Sequence, residues 1–331
     1  MLNPSPGSVA TCREGGTRKK REGMEGLAIR GAIAVVVSLL VAIRAFKHGS
    51  LSKSGAFMGF LVLSIHIAAS YRFGAIILAF FFTSSKLTKM GEDKKRGADD
   101  SFKVGGQRNW YIPRLFSIFM LSCFCSCSVF LFLVLSNSGI ATILLVAVGY
   151  LTGWKDVCLD SKESSLVTCL MGGIIGHYAC CNGDTWSSEL GMLSDAQPRL
   201  ITTFKTVPKG TNGAVTVSGL IAAAAAGSVV GLTFILVGLL TASCNVDVAL
   251  KQLLVLPLSM LAGVIGSLID SLLGATMQFS GFCYVRKKVV GKPGPTVKKI
   301  AGVHILDNNG VNLVSILLST LLTSIACLYI F

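Results

Sequence analysis

The sequence is poor in charged residues, which make up only 14% of its 331 positions. A soluble globular domain carries about 25% charged residues, so this composition excludes an ordinary soluble protein. Hydrophobic residues make up 52% of the chain, and apolar runs of roughly 20 residues recur along its length. No polar stretch is long enough to form a second folded core. The sequence therefore predicts a single integral membrane domain over residues 27–331.

Several motifs of soluble proteins are also missing. The sequence has no G-x-x-x-x-G-K-[ST] phosphate-binding loop, no paired C-x-x-C zinc motif and no DNA- or RNA-binding module. We therefore expect no nucleic-acid partner. The 11 cysteines are spread mostly through apolar segments, and we interpret them as small core residues in a reducing or lipid environment.

The apolar runs predict an all-α, polytopic membrane helix bundle with about seven to eight membrane segments. The run at 55–82 is long for one crossing and is interrupted at Tyr71, so we expect two pieces there. The runs at 139–152 and 166–181 are short for a full span. If all three polar loops meet at one site, one of these two runs cannot cross fully, and the glycines of 166–181 favour a broken or re-entrant helix in that run.

Three polar loops, at 85–114, 182–213 and 276–309, separate these segments. Residues 1–26 mix basic with acidic side chains, which predicts a disordered basic N-terminal tail rather than an organellar transit peptide. The run at 27–43 lacks a cleavage signature and is expected to be a retained anchor. These features favour an endomembrane such as the ER, or the plasma membrane, over the plastid envelope.

The chain carries a net charge of +14. The positive-inside bias of membrane proteins explains much of this excess, because the loops at 85–114 and 276–309 are rich in lysine and arginine. A second interpretation is that some of these cations bind a polyphosphate or anionic lipid headgroups. Both interpretations are open at the level of the sequence.

The second loop opens on an unusual acidic motif, NGDTWSSE, at residues 182–189. On a helix Asp184 and Glu189 would lie about 140° apart, so both reach one cation only near a helix end. Carboxylates and hydroxyls are ligands that Mg²⁺ prefers, and Mg²⁺ usually shares its coordination sphere with substrate phosphates. The alternative is that Asp184 caps a helix while Glu189 is solvated.

Two further polar positions interrupt the apolar pattern near the C-terminus. Asp270 ends the run at 251–275. A charge at membrane depth costs about 2.5–3.5 kcal/mol on insertion scales, so it usually has a partner or a function. The alternative is an interfacial carboxylate that reaches water. In LDNNGVN, at 306–312, a helix cap accounts for only one polar side chain, so Asp307 and Asn308 are further candidate metal ligands.

The segment RLITTFKTVPKGTNG, at 199–213, combines lysines with small residues. Glycine allows backbone N–H groups to turn toward an anion, and lysine supplies a compact charge for phosphate. The nucleotide-binding candidates in this segment are Lys205, Lys209, Gly210, Thr211, Asn212 and Gly213. The first loop adds the cations Lys94, Lys95, Arg96 and Arg108. The alternative is that these are ordinary basic loops facing the cytosol.

Five motifs, in the same order, resemble the transmembrane protein 19 family over about residue 55 to the C-terminus. They are SKLTKMGEDKKR, GGQRNW, GDTWSSELG with PRLITTFKTVPKGTNG, DSLLGATMQFSG and LDNNGVN. That family includes the plant phytyl-phosphate kinase. It is similar at a distance to the dolichol and phytol kinases and to the CDP-diglyceride synthases.

The resemblance implies phosphoryl transfer from CTP or another nucleoside triphosphate to a prenyl monophosphate such as phytyl phosphate. Catalysis and Mg²⁺ binding would then involve Asp184, Glu189 and Asp270, with Asp307 and Asn308 completing the metal site. The basic segments would hold the nucleotide phosphates. The expected partners are a membrane lipid and a nucleoside triphosphate. Two alternatives are a non-catalytic membrane regulator of the same fold, for example in sugar response, and a transporter.

Overall fold

The computed structural model describes residues 6–51, 53–91 and 138–331. The helices in these ranges are α1 (Pro6–Lys47), α2 (Lys53–Ala69), α3 (Tyr71–Lys89), α4 (Ile140–Thr152), α5 (Ser161–Leu193), α6 (Val217–Thr241), α7 (Val246–Lys251), α8 (Val255–Met277) and α9 (Asn308–Ile330). A 3₁₀ turn, Gln252–Leu254, joins α7 to α8. The predicted all-α membrane bundle is confirmed.

Five helical segments in the described ranges are long and apolar enough to cross a membrane: Gly26–Lys47, Ser161–Leu193, Val217–Thr241, Val246–Met277 and Asn308–Ile330. Between α2 and α3 the helix is interrupted at Ser70. This break confirms that the apolar run at 55–82 consists of two pieces.

Helix α5 lies at the centre of the bundle and packs against α3, α4, α6, α8 and α9. Asp160 caps it by accepting a hydrogen bond from Lys162 N–H over 2.9 Å, and only Ser164 departs from helical geometry. The prediction of a broken or re-entrant helix at 166–181 is therefore wrong. Its glycines serve close packing instead, because a Cβ on Gly176 would lie 2.9 Å from Ser319 O of α9.

Two apolar helices in the described ranges are short, α2 and α4, and α4 is the other candidate from the loop parity. Its 13 residues span about 20 Å, less than the hydrocarbon thickness of about 30 Å. It ends at Gly153, which adopts φ +60 as a left-handed C-cap. Helix α4, within the residues that the structure describes, is therefore shorter than a full crossing; residues 92–137 before it lie outside the described chain.

Helices also extend into two segments that were expected to lack structure. Helix α5 continues to Leu193, so residues 182–193 are helical and the second loop is shorter than predicted. Helix α1 begins at Pro6 and continues into the predicted membrane anchor.

The two ends of the bundle differ in structure. We call residues 153–160 and 242–254 the disulfide end, because Cys158 and Cys244 form a disulfide there with Cα atoms 6.1 Å apart. The interpretation of the cysteines as free core residues is wrong for this pair, since α5 and α6 bring both loops to the same end. We call residues 194–216 and 278–307, at the opposite end, the basic end.

Two small antiparallel sheets form at the basic end. Strand β1 (Arg199–Leu200) pairs with β2 (Ala214–Val215), and β3 (Ser280–Cys283) lies between β4 (Lys288–Val290) and β5 (Val297–Ala301). A small apolar cluster beneath them contains Leu200, Val207, Ala275 and Ala301.

The second and third loops contact one another at this end, as expected for loops separated by two spans. Asn212 N–H donates to Ser280 Oγ over 3.0 Å. The first loop begins at the same end, because a Cβ on Gly91 would meet the side chain of Leu193. The first-loop candidates Lys94, Lys95, Arg96 and Arg108 lie outside the described residues.

Candidate functional site

Two carboxylates of the predicted site come together toward the basic end. Asp184 lies on α5 and Asp270 on α8, both are partly buried, and their charges interact electrostatically. Two like charges in a partly buried site require a bound cation or a shared proton. The pair is therefore suited to cation binding or acid–base chemistry rather than to a structural ion pair.

The close crossing of α5 and α8 sets the position of this pair. A Cβ on Gly183 would lie 2.6 Å from Gly263 O, and a Cβ on Gly263 would lie 2.7 Å from Ala223 O of α6. Only glycine allows backbones to approach so closely. Because Gly183 immediately precedes Asp184, the crossing fixes the carboxylate next to α8.

Hydrogen bonds reinforce the same crossing. The hydroxyls of Ser187 and Ser267 lie 2.7 Å apart between α5 and α8. Asn182 is fully buried; its Oδ1 accepts from Ser84 Oγ of α3 and its Nδ2 donates to Ala226 O of α6, each over 3.0 Å. A buried amide needs partners at both ends. Asn182 was not a predicted site residue, and its contacts give it a positioning role.

Helix α9 supplies the hydrogen bonds to Asp270. Ser315 Oγ donates to Asp270 Oδ2 over 3.0 Å, and the Asn312 amide donates to the same oxygen over 3.2 Å. Sequence reasoning missed Ser315, a serine in an apolar helix that carries no distinguishing signal. Asn312 could have been chosen, because it lies one helical turn after Asn308 in the polar segment that opens α9.

The other predicted metal ligands lie around this pair at different positions. Asp307 is exposed and caps α9, where its Oδ1 accepts from Gly310 N–H over 2.8 Å. Asn308 is exposed, and its carbonyl accepts from Asn312 over 3.0 Å. Glu189 is partly buried and lies five residues beyond Asp184, about 7.5 Å further along α5.

These positions limit the kind of metal site that the protein can form. Among the described residues, no three His, Cys, Asp or Glu side chains form a group that could hold a metal ion. A cation at the carboxylate pair would therefore have Asp184 and Asp270 as acidic ligands and take further oxygens from a substrate or from water. Mg²⁺ accepts such an arrangement, since one or two carboxylates commonly hold it together with substrate phosphates.

The predicted phosphate-binding turn connects the two carboxylate helices. Lys209 Nζ donates to the carbonyls of Met192 and Ser194 at the C-terminal end of α5, where a cation also complements the helix dipole. Gly213 has φ +75 and packs against the α8 backbone at Ser271, leaving no room for a Cβ. The turn therefore holds the ends of α5 and α8 together.

Two backbone N–H groups of this turn bond within the protein. Thr211 N–H donates to Pro208 O over 3.3 Å, and Asn212 N–H donates to Ser280 Oγ. Neither points outward to an anion in this conformation. Lys205, by contrast, is exposed, and Gly210 adopts φ +86 beside Lys209. Lys205 is thus accessible to a ligand, whereas the N–H groups of Thr211 and Asn212 bond within the protein.

Cations dominate the basic end as a whole. Residues 194–216 and 278–307 carry nine lysines and arginines against two acids, whereas residues 153–160 and 242–254 carry two lysines against three acids. The cations of the third loop are Arg286, Lys287, Lys288, Lys292, Lys298 and Lys299. The carboxylate pair thus lies beneath a cationic surface, an arrangement that suits a phosphorylated ligand.

The fold and the site together define an integral, multi-pass membrane protein with paired carboxylates near one end of its helix bundle. The chain belongs to the integral membrane protein DUF92 family, whose profile matches residues 36–130 and 131–320. This match confirms the predicted family.

The relatives cover nearly the same part of the chain. The chain is 66% identical to Protein PGR of Arabidopsis thaliana over 298 residues. The aligned region makes up 90% of this chain and 96% of that protein. An uncharacterized membrane protein of Methanocaldococcus jannaschii is 25% identical over 258 residues, 76% of this chain and 85% of that protein. One from Synechocystis sp. is 27% identical over 257 residues, 77% and 83% of the two chains. No solved structure matches the chain.

Proposed function

We propose that the protein is a prenyl-phosphate kinase that transfers a phosphoryl group from CTP, or another nucleoside triphosphate, to a lipid monophosphate such as phytyl phosphate. The observation that carries the proposal is the Asp184–Asp270 pair beneath the cationic end of the bundle. Phosphoryl transfer depends on positioning and charge neutralisation more than on covalent chemistry by the protein. A carboxylate pair and nearby cations can supply both.

The donor set of the pair suits Mg²⁺. Asp184 and Asp270 would hold the ion, while Ser315 and Asn312 fix the orientation of the Asp270 carboxylate. Bound Mg²⁺ would neutralise charge on the phosphate oxygens of the donor. The remaining predicted ligands are Glu189, Asp307 and Asn308.

Exposed cations at the basic end would bind the nucleotide phosphates. Lys205 is free to do so, whereas Lys209 would first have to leave the carbonyls at the end of α5. We therefore assign Lys205 to phosphate binding and Lys209, with the turn at 210–213, to positioning. The further predicted phosphate ligands are Lys94, Lys95, Arg96 and Arg108.

The depth of the pair suits an acceptor that is a membrane lipid. Asp270 lies seven residues before the end of α8, and Asp184 nine residues before the end of α5. These offsets correspond to about 10–14 Å along the helices, and in the proposal this level lies near the boundary between headgroups and hydrocarbon. A lipid phosphate can reach this level while its prenyl tail stays in the bilayer.

The proposal is tested with the purified full-length chain in lipid vesicles. We expect transfer of radiolabel from CTP carrying a labelled γ-phosphate to phytyl or geranylgeranyl phosphate. Asp184→Asn and Asp270→Asn should each lower kcat/KM by about 100-fold or more, as for removal of an electrostatic contact to the transition state. Asp247→Asn, in α7 at the disulfide end, is the matched control and should retain full activity.

The outcome also separates the alternative functions. Parent-like transfer by both site variants, with correctly folded protein, would contradict the assignment of the pair. A parent chain that transfers nothing from any nucleoside triphosphate would contradict the kinase proposal and favour a membrane regulator or a transporter.

A further inference from the structure

A turn at the basic end exposes an aromatic ring beside a lysine. Phe204 is 68% exposed and has φ +55, a conformation that is unfavourable for a bulky residue. Its N–H donates to Leu200 O over 2.7 Å, and its carbonyl accepts from Arg199 over 2.9 Å. These bonds hold the ring outward, immediately before Lys205.

The β3–β4 hairpin has the same pattern at its tip. Tyr284 and Val285 are 59% and 74% exposed and are followed by Arg286 and Lys287. Lys287 has φ +52, so this tip also contains a residue in the left-handed region. Apolar side chains followed by cations, on two separate turns, are typical of segments that lie at a membrane interface.

The sheet that carries the second tip is attached to the end of α8, which belongs to a candidate membrane span. The sheet begins three residues after α8 ends, and the N–H groups of Val303 and Leu306 donate to Thr276 O and Met277 O over 3.0 and 3.1 Å. Strand β3 has four residues and extends about 13 Å. Its tip therefore lies no further than about one strand length from the sheet residues that bond to the end of α8.

We propose that the tips at 202–205 and 284–287 lie on the surface of the surrounding leaflet and bind its anionic headgroups. Phe204, Tyr284 and Val285 would occupy the interfacial layer, which aromatic residues favour. Neighbouring lysines would add electrostatic attraction to anionic lipids. A protein partner would have to match two separate tips, whereas the leaflet surrounds the helices from which both loops emerge. This inference does not require kinase activity, but it shares Lys205 with the proposed nucleotide site, so it is tested in vesicles without nucleotide.

The test is photocrosslinking of the full-length chain in vesicles. Benzoylphenylalanine replaces Phe204 or Tyr284, and the vesicles contain phosphatidylcholine alone or mixed with phosphatidylglycerol. We expect lipid adducts at both positions, enriched in phosphatidylglycerol and reduced by high salt. Lys205→Gln and Lys287→Gln should each lower that enrichment by about fivefold, the equivalent of about 1 kcal/mol.

The control position is Leu250, which is 61% exposed on α7 at the disulfide end. It should form lipid adducts without preference for phosphatidylglycerol. Labelling at Leu250 but at neither Phe204 nor Tyr284 would overturn the proposal, as would adducts with a second copy of the chain. Adducts that ignore headgroup charge, salt and both lysine substitutions would equally overturn it.

Discussion

The disulfide end of the bundle is held by side chains, whereas the basic end is held largely by backbone hydrogen bonds. Besides the Cys158–Cys244 bond, the Gln252 amide contacts both backbone groups of Leu159, accepting over 3.0 Å and donating over 2.9 Å. Arg72 donates to Val157 O and lies over the ring of Phe234 at 4.7 Å. This end therefore contributes a covalent cross-link and side-chain hydrogen bonds, although the buried Nε of Arg72 has no hydrogen-bond partner among the described residues.

The basic end has the opposite charge pattern. Its carboxylates repel one another and its cations are numerous, whereas residues in the left-handed region occur at both ends, Trp154 at one and Phe204 and Lys287 at the other. Repulsion of like charges costs stability and is typical of functional sites. The comparison shows that the cross-links and the carboxylate pair lie toward opposite ends of the bundle, with α5 as the element that connects them.

The largest effect is expected from Gly263→Ala, at the crossing that joins the two regions. The new Cβ would meet the backbone of α6, so the helices must separate, and we expect a loss of about 3 kcal/mol or more in unfolding free energy. Thermal unfolding of the purified protein measures this loss. Gly291→Ala is the control, because a Cβ there has nothing within 4 Å. Equal stability of the two variants would show that the crossing is looser than described.

A smaller effect is expected when Cys158→Ser and Cys244→Ser are combined. The bond closes a separation of 86 residues, but the membrane restricts the unfolded chain, so we expect a loss of about 2 kcal/mol, at the low end for disulfides. Transfer activity well below the melting temperature should be unchanged, because the carboxylates lie at the other end. The control is Cys169→Ser, a free cysteine. A large loss of activity without loss of stability would break the separation of the two ends.

The smallest effect on stability is expected from Ser315→Ala, about 1 kcal/mol for one hydrogen bond. Because Ser315 orients Asp270, activity should fall about tenfold and the Mg²⁺ concentration for half-maximal activity should rise. A purely structural residue would not shift that concentration. Ser319→Ala, one turn further along α9, is the matched control, since its hydroxyl contacts Gly176 O over 3.4 Å. Identical behaviour of both variants would remove the positioning role.

Hydropathy predicted the bundle because lipid leaves few structures for an apolar chain, but it misplaced two boundaries. Residues 182–193 look like a loop because their composition is polar, yet Asn182 is buried between α3, α5 and α6. The glycines of 166–181 resemble a helix break, and only the presence of α9 shows that they permit close packing. The disulfide could not be predicted, because 11 cysteines do not reveal which two loops meet.

The sequence identified site residues only where a charged side chain in or beside an apolar run is energetically unfavourable. Asp270 attracted attention because a charge within an apolar run is expensive, and Asp184 because it follows one directly. Ser315 has no such cost, and its role depends on the packing of α9 against α8. The hydrogen bond that Asn212 N–H donates likewise depends on Ser280, which is distant in sequence. Contacts of this kind appear only when the chain is folded.

The disulfide has a consequence for how the chain matures. Its two cysteines flank the hairpin of α5 and α6, so oxidation must wait until both helices have been inserted. Disulfides persist in oxidising compartments, so formation of this bond in the cell requires the disulfide end to face such a compartment and the basic end to lie on the opposite side of the membrane. Formation of the disulfide would then indicate that both helices had been inserted into the membrane with the correct topology.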